Sequence, residues 1–306
     1  MPIRSWGAFL LLGSVWGSSF LWIKLALAEL NPFTLVGFRL LFGALGMVLV
    51  LWARRPTFPD DKRTWALLAL MGLTNTAMPF VLITWGQTSI DSGVASILNS
   101  TTPLFTLVIA HFFLDDERMN LPRAMGLLVG FIGIVLLFSR DVGVEGFRTG
   151  LLGQGAVLAA AISYASSSVF ARRAFRHVPL LVQAAIPLFV ADAIIWVGAL
   201  SLEAPLTLPR LPITWISLAW LGLLGSCLAY LLYFYLLTHE GSTRTMLVTY
   251  MFPVIGVGLG VTFLGESLDA RLILGALLVV AGIGVVNWRP RLKAPSLEPV
   301  PHPSRE

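Results

Sequence analysis

Few side chains in this sequence could do chemistry, and those few fall at matched places inside apolar stretches. Asn99-Ser100-Thr101-Thr102-Pro103 lies midway along Gly93 to Leu114, a run otherwise apolar enough to cross a bilayer. Pro103 has no N–H to donate, and its ring crowds the carbonyl one turn back, so a helix here must kink or open. Thr249-Tyr250-Met251-Phe252-Pro253 repeats the device, its proline 150 residues further on. Backbone groups freed inside lipid need protein or water as partners. Broken helices at corresponding places in two halves are the sequence mark of a solute site in a carrier. The chemistry to expect is reversible binding.

Bond-making chemistry lacks its residues. Cys227 is the sole cysteine, so neither an internal disulfide nor a thiolate cluster can form. The four histidines show no ligand spacing, and no HExxH, Walker A or nucleophile-elbow pattern occurs. Gly256-Val257-Gly258-Leu259-Gly260 resembles a nucleotide loop only superficially, because it lies inside an apolar helix, where small residues serve close packing. No cofactor or metal is expected, and no direct use of ATP.

The elements that must position these residues follow from composition. Hydrophobic residues make up 57% of the 306 and charged residues 12%, about half the charged share of a soluble domain. This is an integral membrane composition, and the net charge of +5 is an orientation signal rather than a nucleic-acid footprint. Windows long enough to span fall at roughly 6–28, 33–53, 64–86, 88–113, 121–138, 150–171, 179–200, 213–237, 242–264 and 271–288. The first resembles a secretory signal ending at Ala26-Leu27-Ala28, but its length and its later recurrence make it the first helix.

The halves repeat at a nearly constant offset. Trp16-Gly17-Ser18-Ser19 with Lys24 matches Tyr164-Ala165-Ser166-Ser167 with Arg172, 148 residues on. Leu70-Met71-Gly72-Leu73 matches Trp220-Leu221-Gly222-Leu223 at 150, and Gly126 and Gly133 match Gly275 and Gly282 at 149. Five helices per copy is odd, so the second copy enters the membrane upside down. The expected fold is all-α and integral to the membrane, with ten transmembrane helices in two inverted five-helix repeats. Residues 1–140 form the first repeat, 141–290 the second and 291–306 a disordered tail. With the amino terminus inside, cytoplasmic segments hold 15 of the Lys and Arg residues and outer loops hold 4. The positive-inside rule therefore puts both termini in the cytoplasm of a bacterial-type inner membrane.

These features resemble the EamA family of the drug/metabolite transporter superfamily. The shared pattern comprises Trp16 with Lys24, Tyr164 with Arg172, the central Pro103 and Pro253, and Phe263-Leu264-Gly265-Glu266. The first copy departs at Asp115-Asp116-Glu117, where Gly-Glu is usual. Within the family the chain is most similar to YddG-type exporters of amino acids. The resemblance implies a cavity lined by helices one, three, four, six, eight and nine, and the mid-span polar and aromatic residues cluster on those helices. The expected walls are Trp16; Asn75, Met78 and Pro79; Asn99, Thr102 and Pro103; Tyr164; Ser226 and Tyr230; and Tyr250 and Pro253. Each has a plainer alternative: a hydroxyl bonded to its own helix, an amide joining two helices, a ring in a packing layer. For Asn75 and Asn99 the cost of an unsatisfied amide in hydrocarbon favours the cavity. Such walls suit amphipathic zwitterions and flat organic cations.

Charges inside the helices are few. Lys24 and Arg39 read as snorkelling to the outer surface, and an Arg39–Asp192 ion pair is possible by depth. The resemblance implies a secondary carrier that exports amino acids (aromatic, neutral and related) and amphipathic metabolites by alternating access. Strict ion coupling is not expected, because Asp192 is the only plausible carboxylate inside a helix and it lies toward the outer surface. A proton-coupled multidrug or metabolite exporter is the alternative, with a channel or an intramembrane enzyme more distant. The expected partners are small-molecule substrates and the lipid bilayer, with no nucleic acid. Oligomeric state is left open, a monomer being one option.

Overall fold

Each of the ten apolar windows forms a helix. The computed structural model describes residues 2–114, 119–141, 147–175 and 177–287, without the side chains of 141, 147, 242 and 243. The tail expected from 291 and the acidic run at 115–117 lie outside the described residues. In the first repeat the spans are α1 (Ile3–Ala26), α2 (Pro32–Arg54), α3 (Lys62–Gly86), α4 (Ser92–Phe113) and α5 (Leu121–Phe138). In the second they are α6 (Arg148–Ala174), α7 (Leu180–Leu202), α8 (Pro212–Gly241), α9 (Arg244–Leu264) and α10 (Ala270–Asn287).

Local chemistry sets the ends. Pro32, Pro122 and Pro212 stand in first turns, where a missing N–H costs nothing. Asp61 and Asn120 accept from the backbone N–H groups of Thr64 at 2.7 Å and Arg123 at 3.0 Å, capping α3 and α5. Gly241, at φ 81°, separates α8 from α9; that left-handed region is costly for any residue with a Cβ.

The packing obeys the exchange of halves. Helices α2 and α7, α4 and α9, and α5 and α10 pack as pairs across the pseudo-two-fold axis. In addition α1 packs on α8 and α9, as α6 packs on α3 and α4. The α5–α10 contact makes the inversion visible. Sequence equivalence pairs Gly126 with Gly275, yet in space Gly126 meets Gly282 and Gly133 meets Gly275. A Cβ on Gly126 would stand 2.8 Å from the Gly282 carbonyl oxygen, and one on Gly133 2.8 Å from that of Gly275. Crossed contacts of this kind require antiparallel helices related by an axis in the membrane plane. Without a hydrophobic drive between helices in lipid, such close backbone approach supplies the packing. Large apolar side chains such as Leu49, Trp52, Val135, Val197 and Phe263 face outward, as a lipid-facing surface requires.

Two features were not legible as breaks in the sequence. Leu73–Ala77 in α3 and Trp220–Leu228 in α8 are wide π-helical turns at equivalent places in the two repeats. In α3 the widened turn precedes Pro79, whose nitrogen has no hydrogen to give. Such turns are rare and tend to mark functional sites.

Candidate functional site

A cavity of about 730 Å³ enters the bundle from the face that holds the α4–α5 and α6–α7 connections. Arg123, Arg172 and Val178 stand at its mouth, and Asn75, Thr76, Pro103, Pro187, Tyr230 and Tyr233 line its depth. The walls combine three amides (Asn75, Gln183 and Asn287), two phenols, a few hydroxyls and apolar surface, with no carboxylate among the described lining residues. The volume falls within the range of about 300–1,000 Å³ typical of small-molecule sites.

The expected wall residues do not all reach the cavity. Asn75, Pro103 and Tyr230 line the cavity. Trp16 stands behind it, 6.4 Å and edge-on to Tyr230 and 5.8 Å from Tyr233, with its indole N–H donating to the Gly225 carbonyl at 3.0 Å. Tyr164, Ser226, Pro79 and Pro253 are in the packed interior. Met78 is 41% exposed on the outside of the bundle. Tyr250 lines a shallow apolar groove facing lipid, while its hydroxyl accepts from Asn287, itself a cavity residue, at 3.3 Å.

Helix α4 shows how Pro103 shapes the wall. The helix stops at Ser100 and restarts at Thr102. The Asn99 carbonyl, which no N–H of Pro103 can reach, accepts from the Thr102 hydroxyl at 2.8 Å. The Asn99 side-chain oxygen is buried without a partner. In α9 the corresponding stretch, Leu247–Tyr250, tightens into a 3₁₀ turn before Pro253.

The helix set differs from the expectation. Gln183, Ala184 and Pro187 bring α7 into the cavity, while α1 supplies no lining residue among those described. The reason is packing: α8 lies between α1 and the cavity, and Trp16 presses on its tyrosines. Pro187, a proline inside a helix, was the available signal for α7.

The charged side chains depart further. Arg39 does not snorkel; it is 6% exposed, donates from Nε to Ser226 Oγ at 3.2 Å, and stands 3.8 Å over the Phe80 ring. The Arg39–Asp192 pair does not form. Asp192 is half-buried near Trp196, and its Oδ1 has no partner. Lys24 also turns inward, donating to the carbonyls of Gln87 at 2.7 Å and Ile90 at 2.8 Å at the end of α3.

The opposite face is closed, and carboxylates that cross between the repeats hold it. Glu266, beyond α9, accepts from the N–H groups of Ser92 at 2.6 Å and Gly93 at 2.9 Å at the start of α4. Glu203, after α7, accepts from Phe33 at 2.8 Å and Thr34 at 2.7 Å at the start of α2. Glu29, after α1, accepts from the N–H groups of Arg210 at 3.2 Å and Leu211 at 3.0 Å, and from the Thr214 hydroxyl, at the start of α8. Each anion meets the positive end of a helix dipole. Arg140 adds a fourth tie, pairing with Asp91 at 2.9 Å and with Asp269. Sequence reading singled out Glu266 as part of a motif, but nothing local announces that Glu29 and Glu203 reach across to the other repeat.

Comparison with known proteins agrees with this architecture. The model of the EamA-like transporter family matches residues 5–139 and again 151–288. An uncharacterized transporter, YoaV of Bacillus subtilis, is 28% identical over 270 residues, covering 88% of this chain and 91% of its own. A probable amino-acid metabolite efflux pump of Salmonella typhimurium is 28% identical over 300 residues, covering 93% and 96%. Its Escherichia coli namesake is 27% identical over 305 residues, covering 94% and 97%. A crystal structure superposes with a TM-score of 0.67 over 92% of this chain and 96% of that one; at 20% identity it speaks for the fold alone.

Proposed function

The chain belongs to the EamA-like transporter family, and from that premise we propose that it is a secondary carrier exporting amino acids by alternating access. It is a multi-pass membrane transporter of small molecules and not an enzyme. The observation that carries the finer reading is the asymmetry of the faces: one cavity open to one side, and the other side clasped by cross-repeat carboxylates. An inverted repeat holding a site open to one side is the architecture of alternating access.

The substrate class rests on the walls and on the relatives. Phenols, amides and apolar surface suit neutral and aromatic amino acids, related amphipathic metabolites and flat organic cations. Two relatives carry the name of amino-acid metabolite efflux pumps. The distribution of Lys and Arg supports cytoplasmic termini, and with them a cytoplasmic cavity mouth, in a bacterial-type inner membrane. Strict proton coupling is not part of the reading, because the described lining residues hold no carboxylate to carry the proton.

Purified protein in liposomes tests this. Labelled L-phenylalanine should exchange against internal unlabelled L-phenylalanine with no ion gradient, and internal substrate should accelerate entry. A requirement for an imposed proton gradient would favour the proton-coupled exporter, and flux without trans-stimulation would point to a channel.

A further inference from the structure

Arg39 is a buried cation with no acid beside it. Among the described residues it donates to one neutral hydroxyl, Ser226 Oγ, lies over one ring face, Phe80, and has the Tyr164 and Tyr230 phenols nearby. Its terminal nitrogens make no hydrogen bond to a described residue, and a Cβ on Gly225 would stand 3.9 Å from Nη2. Taking a guanidinium out of water carries a large desolvation penalty, and a hydroxyl and a ring return only part of it. A helix carrying so costly a group needs a reason to keep it.

The inverted repeat supplies one. Arg39 and Pro187 are each the eighth residue of their helix, 148 positions apart. Phe80 corresponds to Tyr230 and Thr76 to Ser226, both at an offset of 150. All three counterparts (Pro187, Tyr230 and Thr76) line the open cavity. The cluster of Arg39, Phe80 and Ser226 is therefore the closed counterpart of the present cavity wall. When the repeats of such a carrier exchange conformations, the closed counterpart becomes the open one.

We propose that Arg39, Phe80 and Ser226 form an occluded subsite that lines the cavity when the opposite face opens, where Arg39 binds the carboxylate of the transported solute. The inference rests on the carrier reading above. A guanidinium fork binds a carboxylate through two parallel hydrogen bonds. With no protein acid on Arg39, the solute has no partner to displace. Phe80 offers its ring to the remainder of an aromatic or apolar amino acid. Because Pro187 occupies the matching place in the cavity now open, the cation enters the solute's path in one state only.

Two measurements test this separately. In a Cys227→Ser background, Ser226→Cys places a thiol beside Arg39, and Glu266→Ala loosens the closed face. A sulfonate-bearing methanethiosulfonate should then modify the thiol introduced at position 226 at least tenfold faster than its trimethylammonium analogue, each normalised to a small free thiol. Arg39→Met should abolish that preference. Equal ratios with and without Arg39, or no reaction at position 226 from either side, would overturn the subsite. In the second measurement, L-phenylalanine and L-phenylalaninamide compete for exchange of labelled L-phenylalanine in liposomes. Wild-type protein should favour the carboxylate compound at least tenfold, Arg39→Lys should keep part of that preference, and Arg39→Met should lose it. An undiminished preference in Arg39→Met overturns the carboxylate assignment. If wild-type vesicles exchange no phenylalanine, the amino-acid reading falls, and the labelling ratio still decides the subsite.

Discussion

The two faces of the bundle differ in who bonds whom. On the closed face Glu29, Glu203 and Glu266 each reach from one repeat to a helix start in the other, and Arg140 joins Asp91 to Asp269 across the same boundary. On the cavity face His111 accepts from Met119 at 3.1 Å, Gln183 donates to Phe175 at 3.0 Å, and Arg244 meets Glu240 at 2.9 Å, all within one repeat. Contacts between repeats resist their separation, while contacts within a repeat move with it. Which face is shut is thus decided by the polar ties at the helix ends more than by the apolar core, whose packing recurs across the pseudo-two-fold axis.

The largest test of that contrast removes a tie. Glu266→Ala deletes two charge-assisted bonds worth about 1.5–3 kcal/mol each. It should open the closed face by one to two orders of magnitude in population, allowing for solvent screening. Labelling of a cysteine introduced in place of Ser18, 8% exposed in this conformation, reads the change in a Cys227→Ser background. An unchanged labelling rate would remove Glu266 from the gate.

The prolines test the cavity face. Pro103→Ala returns an N–H to the Asn99 carbonyl and lets α4 close into one rod. Initial exchange rates in liposomes should fall about tenfold for Pro103→Ala and less for Pro253→Ala, each rate being divided by inserted protein. Wild-type rates in both would show that neither break is a hinge.

Acid should act weakly on the closed face. Burial alone would raise the Asp269 carboxyl, but the Leu272 N–H and then Arg140 outweigh it and hold the group below its ordinary value. The Thr214 hydroxyl, then the N–H groups of Leu211 and Arg210, outweigh burial and likewise hold Glu29 low. For a carboxylate with a depressed value, the stabilisation is complete above the ordinary carboxylate range and fades only as pH falls through the lowered one. Labelling at position 18, divided at each pH by the rate of a small free thiol to remove the thiolate's own pH dependence, should accordingly stay flat between about pH 5 and pH 8, since unperturbed Asp and Glu titrate near 4. A steep rise within that window would place a titrating group in the gate.

The smallest effect is expected at Asp192. It lies on α7 beside Trp196 and does not line the cavity. Asp192→Asn should leave exchange without an ion gradient within about twofold of wild type, because the amide is nearly the same size and the position is away from the cavity. Loss of transport there would restore the carboxylate as a coupling site.

Sequence alone determined the ten spans, the duplication and the inversion. Apolar runs of about twenty residues have one stable form in lipid, and five spans per copy leave the second copy inverted. It also located the proline breaks and three cavity residues, Asn75, Pro103 and Tyr230, because polar groups and prolines in mid-span are costly enough to stand out. Tertiary structure decided the rest. Arg39 reads in sequence as a snorkelling cation; only the packing of α2 against α8 shows it turned inward onto Ser226 and Phe80. Glu29 and Glu203 read as loop acids until the fold brings helix starts of the other repeat to them. Trp16 and Tyr164 match in sequence, yet which side of the duplicated structure opens is not a property of either copy. Hydropathy and proline position are local and survive in the linear chain, whereas a gate, a cavity wall and a buried charge are relations between helices more than a hundred residues apart.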